Sequence, residues 1–148
     1  MKRKKKYQLT NSELTLMEIL WQADRPLNRQ EILEAATTED GQLLFAVSSL
    51  HLLINDLMDK NYIAPMGGAG KDTNYGRRFA PLVTRNEHFA IQITSTEQYT
   101  PEDIPSIVCS LAKYSGISDL DGLLQEIEKT IRKKKGESKV WLFPLFPF

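Results

Sequence analysis

Apolar residues recur with a helical period over the first sixty positions, and the period then shortens. Between positions 11 and 23, Leu14, Met17, Leu20 and Trp21 share one helical face. Thr10 and Glu13 have the spacing of a capping box, in which the threonine accepts from a free helical N–H and the glutamate reaches back to the cap. Arg25-Pro26 ends this helix, because the residue before a proline avoids the α region. Asn28 and Glu31 repeat the spacing and open a second helix over 29–37 that buries Ile32, Leu33 and Ala36, and Gly41 breaks the chain after it. From Ser48 onward, Leu50, Leu53, Ile54, Leu57 and Met58 follow i, i+3, i+4, i+7, i+8, which predicts a third helix ending near Lys60.

The run Tyr62-Ile63-Ala64-Pro65-Met66 reads as a short strand, residues 67–76 as a glycine-rich loop, and Arg77-Arg78-Phe79-Ala80 as the returning strand closed by Pro81. Three helices followed by a two-stranded hairpin is the order of a winged helix-turn-helix. The expected fold is therefore mostly α with a small β-hairpin. A fourth helix is expected after Thr84, carrying Phe89 and Ile93 and presenting His88 at the surface. A fifth starts near Ile104, since Pro105 suits only a first turn, buries Ile107, Val108 and Leu111, and stops at Gly116. A last helix follows Ser118, with Leu120, Leu124, Ile127 and Ile131 spaced four, three and four. That heptad-like seam is too short for a free coiled coil. With Ile104, Ile107, Val108 and Leu111 it forms the expected dimer face. The organisation is an arm over 1–8, a winged helix over 9–84, a helical dimerisation region over 85–135 and an apolar tail over 136–148.

Formal net charge is zero, but the charges are segregated. Lys2, Arg3, Lys4, Lys5 and Lys6 form one basic cluster and Arg132, Lys133, Lys134 and Lys135 another, and local patches are what a phosphate backbone responds to. The single cysteine, Cys109, can neither pair within the chain nor build a zinc cluster alone, and in its apolar surroundings it reads as a small buried hydrophobe. The apolar run from Val140 to Phe148 is far shorter than the roughly 20 residues a bilayer helix needs. Neither it nor the polar stretch after the arm reads as a membrane span or signal peptide, which gives the expectation of a cytoplasmic protein. No nucleophile–base, paired-carboxylate, metal-ligand or phosphate-loop pattern stands out, so no enzyme and no cofactor is expected.

Several segments resemble the penicillinase-repressor family of bacterial winged-helix regulators (BlaI/MecI type): Leu9-Thr10 through Glu13-Leu14, Met17-Glu18-Ile19-Leu20-Trp21, Pro26-Leu27 before Glu31-Ile32, Leu57 to Ile63, and Phe79-Ala80-Pro81-Leu82-Val83-Thr84. Ile117-Ser118-Asp119 and the following leucines resemble its dimerisation region, and the likeness spans roughly residues 9–135. Phe45 stands where the family usually has tryptophan. The resemblance implies a homodimeric transcriptional repressor on a palindromic operator, with no enzymatic activity. In some relatives an upstream membrane sensor-protease triggers cleavage, and in others copper acts through paired cysteines. This chain has one cysteine and no Asn-Phe dipeptide, at which the best-known relatives are cut.

With its apolar stripe turned inward, the third helix shows Ser48, Ser49, His51, Leu52, Asn55, Asp56 and Asp59. Asn55 suits adenine and Leu52 a thymine methyl, whereas relatives carry arginine in place of Asp56. Attraction to double-stranded DNA is then expected from residues 2–6, from Lys71 in the wing loop, and from Arg77 and Arg78 at its exit. A solvated arm and a solvated strand end are the alternatives for those groups. Asp56 and Asp59 argue for a different function class, a winged-helix protein-interaction module that has lost operator binding.

Overall fold

The computed structural model describes residues 8–66 and 77–137. They divide into two compact units, the first ending at Tyr99 and the second beginning at Thr100. The first unit thus includes the fourth helix, which the sequence grouped with the dimerisation region.

Helix α1 spans Asn11–Ala23, α2 Arg29–Ala35 and α3 Leu50–Asp59, with a 3-10 turn at Val47–Ser49 leading into α3. The capping boxes of Thr10 with Glu13 and of Asn28 with Glu31 are both formed. The buried stripe of α1 is rotated from the expected one. Leu16, Met17, Ile19 and Leu20 are buried, whereas Leu14 and Trp21 are only half-buried. The reason lies in Trp21, whose indole Nε1 donates to Val83 O at 2.8 Å, so the ring sits at the rim where its polar edge finds a partner. In α2, Ile32 is buried with Ala36 just past its end, while Leu33 is half-buried. In α3, Leu50, Leu53, Ile54 and Leu57 face the core.

The exit from α3 depends on Asn61, at φ 61°. Its N–H donates to Met58 O and the N–H of Tyr62 donates to Leu57 O, at 3.0 and 2.9 Å. This double closure is the Schellman arrangement, with asparagine occupying the left-handed position usually held by glycine. It delivers the chain directly into strand β2, Ile63–Met66. Strand β3, Arg78–Pro81, pairs antiparallel with β2, and a third strand, β1 at Leu27–Asn28, pairs with the other side of β3. The sheet order is β1-β3-β2. Sequence patterning missed β1 because two residues are too few for a periodicity of two. Pro65 sits in β2, an outer strand of this sheet, where its missing N–H costs no ladder bond to a further strand.

Helix α4 spans Arg85–Thr94, capped by Thr84 with Glu87. His88 is not at the surface, as the sequence reading had it, but 6 % exposed. Its Nδ1 shares a 3.0 Å hydrogen bond with Tyr62 Oη, and its ring lies 5.7 Å from those of both Trp21 and Tyr62. Burial holds its pKa below the ordinary histidine value. Phe89 is half exposed with the Arg85 guanidinium over its ring, and Ile91 is buried on the inner side of the helix.

In the second unit, a 3-10 turn at Pro101–Asp103 leads into α5, Ile104–Tyr114, and α6 spans Leu120–Glu137. Gly116, at φ 74°, closes α5 through the same pair of bonds that ends α3, from Gly116 N–H to Lys113 O and from Ile117 N–H to Ala112 O. Asp119 Oδ1 accepts from Gly122 N–H and caps α6. Among the described residues of this unit only Ala112 is buried. Ile107 and Val108 are half-buried, and Leu111, expected to be buried, is 56 % exposed. Cys109 is exposed as well, not the buried hydrophobe its neighbours implied. Two helices of one chain leave such an apolar stripe with too few partners to cover it.

Candidate nucleic-acid interface

The face of α3 opposite the core carries Ser48, His51, Leu52 and Asp56, all exposed, with Ser49 and Asn55 half-buried beside them. Leu44, Val47 and Leu52 add exposed apolar surface at the start of the helix. The buried stripe of Leu50, Leu53, Ile54 and Leu57 fixes the rotation of the helix and so determines which side chains point outward. Asp56 and Asp59 form no ion pair among the described residues.

One cation joins this face that sequence reasoning did not assign to it. Arg29, the first residue of α2, places a guanidinium nitrogen 3.4 Å from His51 Nδ1, and His51 Nε2 lies 3.2 Å from the side-chain amide of Asn55. The three side chains form one row across the two helices. The available signal was position: Arg29 directly follows the cap Asn28, where an outward side chain points at the neighbouring helix.

At the wing base, Arg78 donates to Glu31 Oε1 at 2.8 Å, and Arg25 pairs with the other oxygen of the same carboxylate. Glu31 also accepts from the Asn28 N–H. That backbone bond foremost, then Arg25, holds the Glu31 carboxyl below its usual range. Arg78 thus ties β3 to the start of α2, while Arg77 is exposed and makes no ion pair among the described residues. The arm residues Lys2, Arg3, Lys4, Lys5 and Lys6, the wing residue Lys71 and the tail from Val140 to Phe148 lie outside the described residues.

Among the described residues no group of three acidic, histidine or cysteine side chains could hold a metal ion, and no helix is long and apolar enough to cross a membrane. A groove of about 610 Å³ between the end of α1 and the β3–α4 connection is lined by Trp21, Arg25, Pro81 and Arg85 among others, and includes no residue of α3.

The sequence profile of the penicillinase repressor family matches residues 9–133. The chain belongs to the penicillinase repressor family. The match covers both units, from α1 to within α6. It accounts for the three helices and the small antiparallel sheet as a winged helix, and makes the chain a DNA-binding transcriptional repressor by family, which is not a class of enzyme. No individually curated protein matches the chain.

Proposed function

We propose that the protein represses transcription as a homodimer on a palindromic operator, with α3 in the major groove of each half-site. The observation that carries this reading is the outer face of α3, where exposed His51, Ser48 and Leu52 flank Asn55 on a helix fixed by its buried stripe. In this reading Ser48, Ser49, His51, Leu52 and Asn55 meet base edges, and phosphate contacts come from residues 2–6, Lys71, Arg77 and Arg78. Phosphate contacts provide affinity and base contacts provide the choice of sequence. Arg78 serves partly by fixing the wing base, given its bond to Glu31.

The dimer face is assigned to α5 and α6. Ile104, Leu111, Leu120, Leu124 and Ile131 are between 41 % and 63 % exposed in the single chain, and Ile107, Val108 and Ile127 are half-buried next to them. An apolar stripe of this length left open to water is the mark of an interface. The reading also places the protein in the cytoplasm, where its DNA is, and leaves open to test an upstream membrane sensor-protease as the source of the inducing signal.

Asp56 and Asp59, without an ion pair among the described residues, and the exposed Leu44, Val47 and Leu52 close by support a second reading, a winged helix whose α3 face meets a protein. Fluorescence anisotropy with DNA from the protein's own promoter, against random DNA at two salt concentrations, separates them. The repressor reading expects promoter binding well above random binding at both salts. Equal binding to the two DNAs favours the protein partner.

A further inference from the structure

The row Arg29, His51, Asn55 has a directional consequence. An arginine has only N–H donors, so the His51 Nδ1 facing Arg29 must accept. A neutral imidazole with an accepting Nδ1 carries its proton on Nε2 and donates it from there. Nε2 faces the Asn55 amide with Nδ2 3.2 Å away; two N–H donors cannot bond each other, so the protonated Nε2 requires a half-turn of the amide, which exchanges its nitrogen for Oδ1 as the acceptor. The chain of donors therefore favours one of the two orientations, with Oδ1 toward His51 and the NH2 group turned away. Arg29 is itself well placed to start the chain. It is the first residue of α2, whose cap is closed by Asn28 and Glu31 and braced by Arg25 and Arg78.

We propose that Arg29, acting through His51, sets the amide orientation of Asn55, so that both are positioning residues for the base that Asn55 reads. The inference rests on the reading of α3 as the base-contacting helix. The carbonyl oxygen keeps a second lone pair after accepting from His51, and both amide hydrogens stay available. Adenine, with one donor and one acceptor in the major groove, matches an amide held in this way, whereas guanine offers two acceptors. Arg29 and His51 are exposed and Asn55 half-buried, so the bonds among them act on orientation far more than on the fold.

Two measurements on the full chain test the relay. The first needs no DNA: long-range proton–nitrogen spectra of the free protein report the His51 tautomer. A proton on Nε2 is expected, and a proton on Nδ1 overturns the relay. The second uses promoter duplexes substituted one base pair at a time, with Asn55→Ala marking the position that Asn55 reads. His51→Ala and Arg29→Ala are each expected to lose about three- to tenfold of the discrimination at that position, the coupling typical of neighbouring contacts. His51→Gln, which can accept from Arg29 and donate to Asn55, is expected to restore discrimination. The double variant His51→Ala/Asn55→Ala should discriminate no worse than Asn55→Ala. A uniform weakening at every position, or additive effects in the double variant, overturns the relay while leaving the repressor reading intact. A wild type that does not distinguish promoter from random DNA overturns the repressor reading itself, and with it the functional part of the proposal.

Discussion

Lys60 Nζ donates to both oxygens of Glu13, at 2.7 and 2.8 Å, and so ties the end of α3 to the start of α1. Glu13 is 2 % exposed and also accepts from the Thr10 N–H, so one buried carboxylate serves as a helix cap and as an anchor for the helix proposed to read DNA. Lys60 further donates to Gln8 O. Burial pushes the Glu13 carboxyl up, but the hydrogen bonds from Lys60 and from Thr10 outweigh it and hold the group below its ordinary value.

Lys60→Met keeps the length of the side chain and removes the charge. It should destabilise the full chain by about 2–3 kcal/mol, somewhat below the cost of breaking a fully buried pair, because Lys60 retains some contact with water. Urea unfolding at pH 7 and fixed protein concentration checks this. A carboxylate whose folded pKa is depressed contributes stability that is present above its unfolded pKa and lost as pH falls through the folded one. The wild type should therefore lose stability below about pH 4.5 more steeply than Lys60→Met. Equal stability of the two proteins at pH 7 refutes the anchor.

His88 gives a second pH window with a different origin. Its pKa is lowered by burial alone, so the unfolded chain takes up this proton at a higher pH than the folded one. The folded state should then lose stability as pH drops from about 6.5, and hold it above that value. His88→Leu should flatten the dependence between about pH 7 and pH 5, while losing the bond to Tyr62. Urea midpoints measured across that range test the claim, and an unchanged dependence in the variant would assign the acid sensitivity to other groups.

The contrast between His88 and α3 shows what the sequence could convey. The helices, their caps and the stripe of α3 were legible because period and capping are local. His88 was misread because its partners, Tyr62 and Trp21, come from α1 and from the turn after α3, and no local pattern announces a polar core position. Strand β1 failed for lack of length, and the row through Arg29 because it joins two helices 22 positions apart. The outward residues of α3 followed from its buried ones, yet the bracing of Arg78 by Glu31 did not.

The stripe on α5 and α6 predicts a dimer that the first unit alone does not form. Sedimentation of the full chain should give a dimer, and Leu124→Lys, a change at a position 63 % exposed in the single chain, should shift it toward monomer without unfolding it. A fragment over residues 1–99, which retains α4 and its contacts with Trp21 and Tyr62, should be monomeric. A fragment that dimerises as tightly as the full chain places the interface elsewhere.

Residues 2–6 should supply affinity without sequence choice. Each phosphate contact contributes about 0.9 to the slope of log affinity against log salt. Deleting residues 1–6 is expected to weaken binding to promoter and random DNA alike and to flatten that slope by up to about four units. Anisotropy titrations at several salt concentrations decide, and an unchanged slope with unchanged affinity makes the segment a solubility tag.

Asp56 and Asn55 are neighbours on α3 with opposite expected roles, and together they divide the two functional readings. Asp56 is exposed, makes no ion pair among the described residues, and repels any phosphate that approaches it. Asp56→Arg should therefore tighten binding to all DNA and reduce the ratio of promoter to random binding, since a phosphate contact carries no sequence information. Asn55→Ala should do the reverse. It should cost about 1–3 kcal/mol on the promoter site and little on random DNA, the loss expected for one good base contact. If α3 meets a protein instead, neither change should move DNA affinity. Because both side chains lie on the outer face, away from Leu53, Ile54 and Leu57, the variants should unfold at nearly the same urea concentration as the wild type. A shift in DNA binding is then attributable to the interface. Opposite shifts in the two variants support groove reading by α3, and flat responses in both point to the protein partner.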